Sequence, residues 1–106
     1  MLLGKVVGTV VCDQRVRTMA GSKLLIVEKV DYRGEACGGY EIAVDAVGAG
    51  TDDVVLYTVE SSARLTEITK DRPVDAVIVG IVDMVELAGE AKFQKVPAWQ
   101  APPVRF

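Results

Sequence analysis

Residues 71–86 read DRPVDAVIVGIVDMVE, and this run restricts the fold more than any other part of the chain. Counted as a strand, its side chains alternate between two faces. Val74, Ala76, Ile78, Gly80, Val82 and Met84 fall on one face, and Asp75, Val77, Val79, Ile81, Asp83 and Val85 on the other. Both faces are apolar through the middle. A strand on the surface of a small monomer shows one wet face, so the run predicts a strand covered twice, by its own core and by a second surface.

The same period of two recurs along the chain. Strands are predicted over Leu3–Asp13, with Gly4, Val6, Gly8, Val10 and Cys12 sharing a face, over Lys23–Tyr32, Tyr40–Val47 and Asp53–Glu60, and from Pro73 through the run above. Gln14–Ser22, carrying Arg15 and Arg17, reads as a loop, and the glycine-rich Arg33–Gly39 as a turn. Ser61 or Ser62 can cap a short helix to about Ile68. Five strands and one helix close best as a small OB-like barrel, because an open sheet would leave edges free to aggregate.

At 106 residues the chain suits one core. The barrel is expected over 1–86. From Leu87 the pattern is expected to dissolve into a tail, 87–106, whose three prolines oppose regular pairing. Phe93, Trp99 and Phe106 are half of its six aromatics, so this tail is expected to dock on the barrel or on a neighbouring subunit rather than to lie free in water.

Composition excludes much chemistry. The chain has no histidine, which removes Ser-His-Asp and Cys-His catalysis and His-based zinc sites from one chain. Cys12 and Cys37 lack CxxC spacing and are read as reduced thiols. A net charge of −3 opposes binding to phosphate backbones. The apolar opening lacks the basic start and small-residue cleavage site of a signal peptide, and no run reaches the roughly 18 residues that span a bilayer. A soluble cytoplasmic protein with neither nucleic acid nor membrane as partner is the expectation.

Candidate sites are few. Gly48-Ala49-Gly50 precedes a strand, not the helix a phosphate cradle needs, and reads as a tight turn. Asp75 and Asp83 are eight residues apart, roughly 26 Å in a strand, too far to act on one atom. Asp45, Asp52 and Asp53 read as turn carboxylates rather than as a metal site. Arg64 and Arg72 stand beside carboxylates and suit either a subunit boundary or a surface ion pair.

KVVGTVV, KLLIVEKVD, AVDAVGAG, VESSAR and DRPVDAVIVGIVD stand in that order within residues 1–86. In this the chain resembles the bacterial microcompartment vertex proteins, the family typified by EutN and the carboxysome protein CcmL. The resemblance implies a five-stranded barrel that assembles as a homo-pentamer, closes the corners of a polyhedral shell in the bacterial cytoplasm beside hexameric shell proteins, and has neither enzymatic activity nor cofactor. The family's motif positions fall on Gly48, Gly50, Ser61, Ser62, Arg64, Arg72, Pro73, Asp75, Gly80 and Asp83 as fold or interface residues. Val79 and Ile81 join them from the face assignment of the final strand. An OB-like binding module for a nucleic acid or small anion, using Arg15, Arg17, Arg64 and Arg72, is the alternative, and a histidine-free enzyme using Asp or Cys the third reading.

Overall fold

The computed structural model describes residues 1–12, 23–59 and 75–95. Seven strands lie within them: β1 (Leu2–Val10), β2 (Leu24–Val30), β3 (Ala36–Asp45), β4 (Val54–Val59), β5 (Ala76–Ile81), β6 (Met84–Leu87) and β7 (Glu90–Gln94). The first five close a barrel in the order β1-β2-β3-β5-β4, with β6 and β7 forming a separate two-stranded sheet. All barrel pairings are antiparallel except β3 with β5. This is the all-β, OB-like barrel expected. The predicted helix at 61–68 lies outside the described residues, as do Arg15, Arg17, Ser61, Ser62, Arg64, Arg72 and Pro73.

β-branched side chains supply most of the interior, which suits the pleated, half-buried surface of a strand. Val6, Leu25, Val27, Ala43, Ala49, Val55, Tyr57, Ala76 and Ile78 form the core, with Val59 and Ile81 packed against it. Gly4 lets the chains approach: a Cβ there would strike Val27 Cγ1 and stand 2.9 Å from Tyr57 Cε1.

Three expectations are corrected. The final run is not one long strand. β5 stops at Ile81, Val82 donates its N–H to the Val54 carbonyl at 2.7 Å, and the chain starts a new strand at Met84. Nor does the pattern dissolve at Leu87. β6 pairs with β7, Val85 opposite Phe93 and Leu87 opposite Glu90. The turn between them has positive φ at Ala88 (53°) and Gly89 (82°), the two-residue hairpin geometry whose twist matches the strands. The hairpin ends before the first proline of the tail, so nothing opposes its pairing. The predicted turn at 33–39 is also shorter than expected, since β3 already begins at Ala36.

Candidate assembly surface

Bulges decide which side chains reach the outside of the barrel. In β1, Val6 pairs with Val27 but Gly8 pairs with Ile26. The extra residue turns Gly8 and Val10 away from the core and breaks the single face expected for Gly4 through Cys12. In β5, Gly80 pairs with Leu56 but Ile78 with Tyr57. The slip at Val79 sends Ile81 inward with Ile78, so strict alternation had placed Ile81 on the wrong face.

Two cross-strand rows result on the outside. Val10, Leu24, Val44 and Val77 are successive partners across β1, β2, β3 and β5. Val44 and Val77 are buried, with Leu24, Ala46 and Val79 packed against them. Ala76–Ile78 is therefore covered on both sides within this one chain, by the core and by this second cluster, where the expectation is a second surface from outside it. Gly8, Ile26 and Ile42 make the next row. Here cover runs out: Ile42 is 56% exposed and its neighbour Tyr40 64%.

β3 also carries a bare edge. It meets β5 only at Val44 and Asp45, and among the described residues Ala36–Ala43 have no second strand partner. Asp45 donates its N–H to Lys23 of the β2 side at 2.9 Å, whereas Ala46 donates to Ile78 of β5 at 3.4 Å. Backbone groups alternate sides along a strand, so those of Ile42 and Tyr40 point out from the barrel.

Where β3 leaves β5, carboxylates organise the turn. Asp45 Oδ1 accepts the N–H groups of Val47 (3.1 Å) and Gly48 (3.0 Å), and Asp53 Oδ2 accepts that of Gly50 (2.8 Å). Gly48 has φ +82°. Lys23 Nζ bridges the almost fully buried Asp45 carboxylate at 3.4 Å and the Ala49 carbonyl at 2.7 Å. These amides face carboxylates, so the Gly48–Gly50 segment is a capped turn and offers nothing to a phosphate. Exposed Asp52 pairs with half-buried Lys5 at 3.8 Å, and no trio of metal-ligating side chains occurs among the described residues.

The remaining predicted positions do not converge. Asp75 and Asp83 are exposed. The Asp83 carbonyl accepts the Lys95 N–H at 2.7 Å, at an open hollow shared with Met84 and Gln94. Gly80 lies over Leu56, with room for a Cβ at 3.9 Å. Sequence reasoning missed Ile26, Ile42 and Tyr40. The signal was available in KLLIVEKV, where Leu24 and Ile26 alternate with Leu25 and Val27 and so give a second strand two apolar faces. No helix among the described residues is long and apolar enough to cross a membrane.

The described residues make a small closed barrel with apolar rows, capped turns and a strand edge against which another protein could pack. The family model described as "Ethanolamine utilisation protein EutN/carboxysome" matches residues 1–83. The carboxysome shell vertex protein CcmL of Gloeobacter violaceus is 41% identical over 90% of this chain and 95% of its own. Its solved structure superposes with a TM-score of 0.85, over 90% of this chain and 98% of that one. The microcompartment shell vertex protein EutN of Escherichia coli is also 41% identical, over 90% of this chain and all of its own. The solved pentameric microcompartment shell protein GrpN of Rhodospirillum rubrum gives a TM-score of 0.75 at 40% identity, over 83% of this chain and 100% of that one. The chain belongs to the EutN/CcmL family.

Proposed function

We propose that this chain is a structural, non-catalytic subunit of a bacterial microcompartment shell. It assembles as a homo-pentamer and occupies the vertices of the polyhedron, within the cytoplasm and against hexameric shell proteins. The observation that carries the reading is the agreement of the whole barrel with a carboxysome vertex protein at 41% identity and a TM-score of 0.85. Apolar outer rows on an acidic barrel support it, because a lone subunit would leave Ile42 and Tyr40 in water. A five-fold ring joins two different surfaces of neighbouring copies, so the exposed patch need not be self-complementary. Gly48, Gly50, Asp75, Val79, Gly80 and Asp83 serve as fold or contact positions in this reading, with Ile81 assigned to the fold. The docking expected of the 87–106 tail falls outside the described residues beyond Lys95, Trp99 and Phe106 included.

Light scattering is expected to give about 57 kDa, five times the 11.4 kDa chain. Co-expression with hexameric shell proteins is expected to yield closed polyhedra under the electron microscope, where hexamers alone give sheets or tubes. A persistent monomer, or shells that close equally well without this chain, would overturn the proposal.

A further inference from the structure

Among the described residues, the side of β3 away from β2 has no strand partner from Ala36 to Ala43 and is open to backbone pairing with another chain. We infer that Ile42 and Tyr40 pair with an extended segment of a second copy, so that the ring is joined partly by an intermolecular sheet; this rests on the ring-forming reading above. Soluble proteins blunt long strand edges with lysine, proline, cover or extreme shortness. Residues 36–43 read ACGGYEIA, with neither lysine nor proline. Their sole charge, Glu41, lies on the opposite side of the strand from Tyr40 and Ile42.

Three further observations favour this edge. From Ala36 to Tyr40 every residue is exposed, with the Lys29 side chain lying along Gly39. Gly38 and Gly39 have φ of +94° and +99° and lie where β3 carries extra residues between its pairings at Tyr40 and Ala36, which confines the flat, pairable stretch to Tyr40–Ala43. A second copy is favoured as occupant because relatives at 40% and 30% identity are described as pentameric shell proteins. A five-fold contact is heterologous and can set this edge against a different strand of the neighbour. Strand addition of this kind takes affinity from main-chain bonds and specificity from alternate side chains, and Tyr40 and Ile42 are the alternate side chains present.

Amide hydrogen exchange resolved at Tyr40 and Ile42 tests the pairing, alongside light scattering of the wild type, Ile42→Lys and Ile42→Val. In the assembled wild type both amides are expected to exchange about 100-fold or more slowly than unpaired amides. Ile42→Lys is expected to retain the folded barrel by circular dichroism yet run as a monomer with both amides unprotected, while Ile42→Val still assembles. A wild-type ring with both amides exchanging freely would overturn the edge pairing and leave the ring reading standing. Amides still protected in a monomeric Ile42→Lys would place their partner within the same chain and overturn it as well. A monomeric wild type would overturn both readings.

Discussion

Two glycines and one tyrosine show how closely this barrel is packed. A methyl at Gly4 would collide with Val27 and crowd Tyr57, so Gly4→Ala is expected to cost about 1–3 kcal/mol in urea unfolding. At Gly34 the obstacle is double, positive φ (+82°) and the Phe93 ring 2.8 Å from an added Cβ. Gly34→Ala should free the β6–β7 hairpin, visible as lost amide protection at 84–94, with the barrel intact. Tyr57 is fully buried and its hydroxyl has no partner among the described residues. Burial, then the nearby Glu41 and Cys37, raise its phenol above the usual 10.0. The neutral form is thus favoured by folding, and its contribution is complete below pH 10 and lost as pH climbs through the raised value. Tyr57→Phe is expected to fall within about 1 kcal/mol of wild type at pH 8 and to lose less stability between pH 8 and 11.

Within the elements, bulges and turn carboxylates outweigh the simple alternation of strands. Ile81 packs inward after the slip at Val79, so Ile81→Ala is expected to destabilise the barrel by about 2 kcal/mol. Val79→Asp, on the outer side, should lower assembly more than folding, and Glu35→Lys should leave both unchanged; unfolding and light scattering read the two separately. Asp45→Ala removes the acceptor of two turn amides and the partner of Lys23, with an expected loss of about 1–3 kcal/mol. Much of this was legible in the sequence. The period of two gave the strands, and Gly48-Ala49-Gly50 the break after the third. A bulge leaves no such mark, since one extra residue at Val7 or Val79 reads like any other valine and yet exchanges the faces beyond it. The hairpin is hidden for a different reason: prolines at 97, 102 and 103 mark the tail as irregular, while the turn at Ala88-Gly89 is flanked by alternating Val85, Leu87 and Ala91, Phe93. The separation expected of Asp75 and Asp83 assumes one straight strand, whereas β5 ends at Ile81 and the chain starts a new strand at Met84.

At the scale of the molecule, stability and assembly are coupled. A ring that buries Ile42 and Tyr40 binds only folded subunits, so Tm is expected to rise with protein concentration, whereas a monomer's would stay constant. Scanning calorimetry across a hundredfold dilution checks this. The barrel is not equally strong around its circumference. β4 and β5 are matched at five positions and β2 and β3 at six, but β3 and β5 at two, Val44 with Val77 and Asp45 with Ile78. Among the described residues this seam has the fewest paired positions of the barrel, so it is expected to part first when the cylinder is stretched across its width. A subunit set at a corner, pulled outward by a swelling container, would gape along this line before any other strand pair separated. The give of the corner under load is therefore set by two residue pairs and the lysine-clasped turn beside them.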